Sequence, residues 1–375
     1  MIDIQRIYYR SIMSKFEGRR DFVHGEKAQT GIVMVNLGTP SAPTPAAIRT
    51  YLAEFLSDPR VVELPRWLWL PILHLVILTV RPRRAAHAYG KIWTEQGSPL
   101  LTHSRELSQA LAAEMSDSDA PLLFDLAMRY GEPSISSVTK SMLDRGCRRI
   151  LVLPLYPQYA SATTASAHDA LMDFMGTQRW LPQIRFITDY HREPEYIEAV
   201  ASSIRHHWNE HGRGDRLLMS FHGLPQESTE AGDPYFCQCH ATARLVAQTL
   251  GIEDDQWCVS FQSRVGPKRW LEPYTDYTLK RFAAEGLKQV DVICPGFAVD
   301  CLETLEEIAM QNADMFRQAG GDQLRYIPAL NASRGQLEAL KALLLRNLEA
   351  WPSPQGDVAE RQLAAERAHA LGASN

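Results

Sequence analysis

The sequence predicts an α/β fold of two Rossmann-like domains, each a four-stranded parallel sheet flanked by helices, with a cleft between them. Three observations carry this. Eight short β-rich runs lie along the chain, with helical patterns between them. Most of the runs are apolar throughout rather than alternating, as strands covered on both faces are. Strand starts recur one βα unit at a time through the second half, and the first half keeps the same rhythm except for one long stretch.

The first four runs fall at 32–37, 122–128, 150–155 and 184–188, and the second four at 217–221, 257–261, 290–294 and 324–327. Helical patterns stand at 104–114, 134–145, 196–211, 241–250, 276–285 and 303–316. The chain then divides as 1–29, an N-terminal extension; 30–190, an N-terminal α/β domain with an apolar insertion; 191–345, a C-terminal α/β domain; and 351–375, a tail expected to be mobile from its Pro-Ser-Pro-Gln-Gly start and Ala/Glu/Arg-rich end. The join is expected near 189–196.

Composition narrows the function. A chain of 375 residues with 45% hydrophobic and 22% charged content is an ordinary globular protein with room for two cores. A net charge of −5 gives no nucleic-acid signal. The first thirty residues carry charges and no apolar h-region, so no signal peptide is expected. The six cysteines form neither a CxxC pair nor a zinc-ribbon spacing, and reduced cytosolic thiols are the simplest account. Cys237, Cys239 and His240 invite a metal reading, but no second ligand pair is apparent, and a loop with two free thiols is expected.

The longest apolar run, WLWLPILHLVILTV at 67–80, has 14 residues and contains Pro71 and His74. A helix that crosses a bilayer needs about 20. The run reads either as a core helix or as an interfacial lip, the latter helped by two tryptophans and by Arg81, Arg83 and Arg84 just beyond.

In open parallel sheets, ligands sit outside the carboxyl ends of the strands. None of the segments there is a GxGxxG or a GxxxxGK[ST], so no nucleotide motif is present. Two of them belong together. Ser220-Phe221-His222-Gly223-Leu224-Pro225 supplies an imidazole on a turn that Gly223 and Pro225 fix, and the run from Asp300 to Glu307 supplies carboxylates at the mouth of a helix. Imidazole and carboxylate in one cleft move protons or hold a metal. Each has a bland reading as well. His222 reads equally as a satisfied structural residue. Glu303 and Glu307, four apart, share a helix face that reads as solvated, where the helix dipole favours acids. Asp300 as N-cap with Glu303 at the capping-box position is a purely structural alternative, and spacing alone does not separate cap from catalyst. Arg129 and Tyr130 read as an edge pair or as a grip on a ligand carboxylate. Trp270 reads as core or as a flat face for a flat ligand.

Several motifs in order then carry a resemblance: VNLGTP, FLSDPRVV, GSPL at 97–100, LPLYPQYASATT, SFHGLP, GDPY at 232–235, FQSRVGPKRWLEPYTD and CPGFAVDCLETLEEI. From about residue 30 to 333 the chain resembles the ferrochelatases, and the DCLETLEEI form is most similar to their proteobacterial branch. The resemblance implies two Rossmann-like domains around a cleft with an apolar lip. It implies a lyase that inserts Fe2+ into protoporphyrin IX with release of two protons, giving protohaem at the last step of haem synthesis. It places His222 and Glu303 at the porphyrin centre, as catalytic and metal-contacting residues, with porphyrin contacts at Leu37, Arg129, Tyr130 and Trp270. A proton or metal path continues through Glu307 and Asp300. Iron is a substrate, no cofactor is held permanently, and no [2Fe–2S] cluster is expected because no cysteine follows Cys301. The expected partners are protoporphyrin IX and Fe2+, with no nucleic acid; the expected state is a cytoplasmic monomer that meets the inner face of the membrane through 67–80. The chain departs from many relatives in having Cys301 where they have His, and from some in having Leu37 where they have Met. The rival readings are a chelatase for coproporphyrin or another metal, and a haem carrier without chemistry; the long apolar lip favours the more hydrophobic protoporphyrin.

Overall fold

The structure, a computed structural model, describes residues 16–19, 21–116, 122–349, 351 and 358–373. Its eight strands make two parallel sheets of four. The first joins β1 (Gln29–Gly38), β2 (Leu122–Tyr130), β3 (Cys147–Pro154) and β4 (Gln183–Phe186) in the order β2-β1-β3-β4. The second joins β5 (Arg216–His222), β6 (Trp257–Gln262), β7 (Gln289–Ile293) and β8 (Gln323–Ile327) in the order β6-β5-β7-β8. Counted within its own sheet, each strand holds the same place as its counterpart. The expected fold class is borne out, and all eight runs are strands.

The continuous apolar runs are explained by burial on both faces. In β1, Ile32 and Met34 point into one core while Val33 and Val35 point into another. In β3, Leu151 and Leu153 take the first face and Ile150 and Val152 the second. Successive side chains alternate faces, so a strand covered twice has no polar positions to spare. β5 repeats this, with Leu217, Met219 and Phe221 on one side and Leu218 on the other.

Helices cover both sheets. Along the first domain run α1 (Pro45–Ser57), α2 (Arg66–Ile72), α3 (Leu78–Ile92), α4 (Pro99–Glu114), α5 (Ile135–Asp144) and α6 (Ser166–Met175). Next come α7 (Pro194–His211), α8 (Gln226–Glu230), α9 (Tyr235–Leu250), α10 (Thr275–Ala284), α11 (Ala313–Gln318), α12 (Arg334–Glu349) and α13 (Val358–Ala370). One apolar core runs from the inner face of β1 and β3 through α4, α7, α9 and α12 to the inner face of β5. α12 leans back onto the first domain, where Lys341 Nζ donates to Glu114 O at 2.9 Å and Leu340, Leu343 and Leu344 share the core of Leu107 and Leu111. In the tail, α13 buries none of its residues, and Gly25 of the N-terminal extension lies against Arg361 and Ala365.

Three stretches have π-helical geometry: Leu73–Ile77, Ser161–Ala165 and Glu303–Asn312. The first joins α2 to α3 within the apolar run. Pro71 removes a donor from the ladder there, and the next turn widens so that Leu78 N–H reaches Leu73 O. This unit, 66–92, is neither wholly core nor wholly free. Leu73 and Leu78 are buried against Leu56 and α1, while Trp67, Leu75, Val76 and Val80 are exposed, Trp67 at 79%. Among the described residues, no helix is long and apolar enough to cross a membrane.

Candidate active site

His222 is the last residue of β5, at the carboxyl edge of the second sheet. It is half-buried, and its Nδ1 lies 2.7 Å from Gly223 O. A carbonyl only accepts, so Nδ1 carries the proton and Nε2 keeps a free lone pair. Trp270 and Phe297 flank the ring, each centroid 6.5 Å away. Gly223 is needed beside it. A Cβ there would stand 2.8 Å from Gln262 O and 3.1 Å from the Trp270 ring. Trp270 is itself half-buried and is held by its indole N–H on Val265 O at 2.9 Å.

After β7 the chain turns through Pro295 to Leu302 and enters the π-helix Glu303–Asn312. The capping-box expectation fails here. Asp300 N–H donates to Asn331 Oδ1, and Glu303 does not reach back to it. Thr304 does the reciprocal work instead: its Oγ1 accepts Cys301 N–H at 3.0 Å, while Leu305 N–H closes the first turn on Cys301 O. The start of the helix is one residue later than the spacing suggested, which frees the Glu303 carboxylate. That carboxylate takes one hydrogen bond, from the Cys301 thiol to Oε2 at 3.1 Å. The wide π turn brings Glu307, four residues on, to the same side.

Glu307 is held by Ser263, whose N–H donates to Oε1 at 2.8 Å and whose hydroxyl donates to Oε2. Ser263 reaches it from the end of β6 with a left-handed backbone, φ 67°, rare outside glycine. Burial pushes the Glu307 carboxyl above its ordinary value of 4.5. Ser263's hydrogen bonds pull it back, as does His222 when it is protonated, and the charge of Glu303 adds to the rise. His222, Glu303 and Glu307 therefore act on one electrostatic neighbourhood. Asp300 stands apart from it. Its carboxylate is buried and accepts from Tyr326, Thr304, Asn331 and Ala329 N–H, so it ties β8 and the following loop to the helix.

The opposite wall comes from the first sheet. Leu37 is the only partly exposed side chain between Gly31 and Pro40, at the end of β1. Gly38 beside it has φ 110°, and a Cβ would meet Tyr130 O at 1.9 Å, so the close pairing of β1 with β2 requires glycine. Arg129 and Tyr130, at the end of β2, converge on Asp58. Arg129 Nη2 is 2.6 Å and the Tyr130 hydroxyl 2.8 Å from Asp58 Oδ2, and Ser166 Oγ donates to the same oxygen at 2.5 Å. Tyr130 is 0% exposed, so it supports Arg129 and Asp58 from beneath and presents no surface to the cleft. The Arg129 side chain is 18% exposed.

Two tyrosines without any signal in the sequence complete this wall. The Tyr51 hydroxyl donates to Gly38 O at 3.2 Å. Burial, and then neighbours that include Glu303, push the Tyr51 and Tyr89 hydroxyls well above the usual range. α3, which carries Tyr89, packs against the π-helix that carries Glu303. Ser263 and Asp58 lay in quoted motifs, yet nothing in those motifs singled them out.

The Cys237, Cys239, His240 expectation is corrected, because all three lie on α9 and not in a loop. Cys237 is exposed, Cys239 is fully buried, and His240 packs on Phe236 with 4.4 Å between centroids. Among the described residues, no group of three or more His, Cys, Asp or Glu side chains is set to hold a metal ion. Two cavities, of about 280 Å³ beside His168 and Phe186 and about 460 Å³ beside His207 and Arg325, share no residue with the cleft site.

Comparison with known proteins follows the same outline. The family model described as Ferrochelatase matches residues 29–348. A ferrochelatase of Thioalkalivibrio sulfidiphilus is 51% identical over 363 residues, covering 96% of this chain and 98% of its own length. One of Methylococcus capsulatus is 54% identical over 322 residues, covering 86% and 98%. One of Pseudoalteromonas atlantica is 49% identical over 359 residues, covering 96% and 99%. Among solved structures, SirB from Bacillus subtilis with Fe3+ aligns at a TM-score of 0.51 and 11% identity, covering 86% of this chain and 96% of that one. That last likeness is one of fold.

Proposed function

This chain belongs to the ferrochelatase family, and from that premise we propose that its cleft inserts ferrous iron into protoporphyrin IX, releasing two protons and giving protohaem. The observation that carries the reading is identity of about half the residues with ferrochelatases over nearly the whole chain. Porphyrin and Fe2+ are the substrates, and the reaction needs no resident cofactor.

The chemistry sets what the residues must do. A planar porphyrin keeps its lone pairs and N–H protons inside the ring, so it must be bent, iron must shed water, and two protons must leave. The macrocycle brings four nitrogen ligands of its own, so the protein needs only one or two at the axis. His222 supplies a lone pair at Nε2 because Nδ1 is committed to Gly223 O, and that lone pair can accept a proton. Glu303 offers a carboxylate from the neighbouring helix mouth, with oxygen donors that suit Fe2+. His222 and Glu303 divide proton acceptance and metal contact between them. Glu307, cradled by Ser263, takes charge onward from Glu303. Leu37, Trp270 and Arg129 bound the ring, with Tyr130 and Asp300 holding the two walls from behind. Binding energy from these walls is available to keep the ring out of plane.

The exposed Trp67, Leu75, Val76 and Val80, with Arg83 and Arg84 one turn on, support a lip that rests on a membrane surface. The remaining assignments are a monomer without nucleic acid, in the cytoplasm, and without a [2Fe–2S] cluster.

An anaerobic assay with Fe2+ and protoporphyrin IX, read by optical absorption, tests the reading. The haem spectrum should replace that of the free porphyrin, and coproporphyrin III should turn over more slowly. Stoichiometric haem binding with no insertion would make the chain a carrier.

A further inference from the structure

One ion pair remains that neither wall of the cleft accounts for. Glu306 lies on the π-helix between Glu303 and Glu307, and only 3% of its side chain is exposed. A buried carboxylate needs partners. One oxygen, Oε1, takes Lys91 Nζ at 2.7 Å, and the other takes Gln311 Nε2. Lys91 lies in the last turn of α3, at the end of the lip unit, 215 positions away in sequence. Among the described residues, this is the one hydrogen-bonded ion pair between the lip unit 66–92 and the second domain. Tyr89 lies two residues earlier on α3, and α3 itself packs against the π-helix. α3 thus meets the π-helix by packing as well as by this ion pair.

We propose that Lys91 and Glu306 form a strut across the cleft that fixes the carboxylate-bearing helix against the lip, making Lys91 a positioning residue for metal insertion. The inference deepens the chelatase reading and rests on Glu303 and Glu307 serving the reaction. Glu306 sits three residues after Glu303 and one before Glu307 on the same helix, so a shift of Glu306 moves both. Solvent screening weakens isolated surface pairs, but this carboxylate is enclosed, and loss of its cation leaves a charge with too few partners. The helix then relaxes and the lip loses its anchor to the second domain.

Four variants test this: Lys91→Met, Lys91→Arg, Glu306→Gln, and the neutral pair Lys91→Met with Glu306→Gln. The neutral pair carries no buried unpaired charge, so it keeps the test open even if Lys91→Met folds poorly. The strut predicts about a tenfold fall in kcat in the neutral pair, the scale seen when a support behind a functional ligand is removed, with KM for porphyrin changed less than about threefold. Lys91→Arg, which keeps the cation, should stay within about threefold of the parent. Amide exchange supplies a readout that needs no turnover. Exchange at 303–312 and 78–92 should quicken about tenfold in the neutral pair while the central strands keep their protection. Parental kcat and unchanged exchange in the neutral pair would overturn the strut. A parent chain that binds porphyrin but inserts no iron would instead sink the chelatase reading, and the exchange comparison would still decide the strut.

Discussion

The two sheets have the same strand order, yet their carboxyl ends carry different things. The first ends in Leu37 and in Arg129 and Tyr130, which with Ser166 are locked on Asp58 by hydrogen bonds of 2.5–2.8 Å. The second ends in His222, Ser263 and the helix of Glu303 and Glu307, groups with free lone pairs or shifted protons. Topology decides where a site lies, and the residues at the strand ends decide what it does. In the proposed reaction the first wall holds the flat ligand and the second works on it. On that division, changes to the second wall should strike kcat, and changes to the first should strike KM and stability.

The largest effect is expected at His222. His222→Ala removes the free Nε2 from the end of a strand whose core positions are Leu217 to Phe221, so folding should be untouched. Turnover should fall by about 10³-fold, within the range of acid–base groups. Near-parental turnover in a folded variant would dissolve the contrast between the walls.

Glu303→Gln comes next, with kcat lower by about 10²-fold. Because Thr304 and not Glu303 closes the helix start, the melting temperature should hardly change. A marked loss of stability with modest loss of rate would return Glu303 to a structural role. Glu307→Gln should cost roughly tenfold and has a pH signature. Burial raises this carboxyl above 4.5, so the folded state holds the proton more tightly than the unfolded state. Its contribution to stability is then present below about pH 4.5 and is lost as pH rises through the folded value. Gln has no such loss. The melting temperature of Glu307→Gln relative to the parent should therefore climb from pH 4 to pH 8, and a flat difference would show that Glu307 is not strained by burial.

The second wall was the more legible from sequence. His222 ends an apolar strand and is found by a strand-end rule, whereas Glu303 opens the helix that follows β7, ten residues beyond the strand. The double-covered strands announced themselves because both faces need apolar residues. What stayed hidden depends on pairs far apart in the chain. Asp58 and Tyr130, Lys91 and Glu306, or α12 and α4 meet only once the fold is made, and no local pattern marks their partners. The capping expectation failed for a smaller reason. Two overlapping capping registers, ending at Glu303 and at Thr304, are both chemically sound, and only hydrogen-bond geometry chooses between them.

A milder effect is expected on the first wall. Tyr130→Phe removes one of several donors on Asp58, with Arg129 and Ser166 remaining. A hydrogen bond to a charged group is worth about 1.5–3 kcal/mol, and the lower end applies because other donors persist. KM for porphyrin should rise a few fold through a looser Arg129 while kcat holds. A fall in kcat alone would place Tyr130 with the chemistry and blur the division of labour.

The smallest effect separates two tryptophans that the sequence treats alike. Trp67 is 79% exposed, whereas Trp69 packs beside Leu56, Leu73 and Leu78 and donates its indole N–H to Leu56 O at 2.6 Å. Both were candidates for an exposed lip, but only one has the freedom to meet a membrane. Trp69→Ser should cost about 2–4 kcal/mol of stability, as large-to-small changes in packed clusters do. Trp67→Ser should fall within about 0.5 kcal/mol of the parent. A large side chain lying at a membrane surface contributes about 1.5–3 kcal/mol when fully buried there. Partial insertion of Trp67 should still be worth about tenfold in partitioning to anionic liposomes. If Trp67→Ser keeps full liposome binding while Trp69→Ser loses it in step with its stability, the lip is a folded wall of the cleft and not a membrane foot.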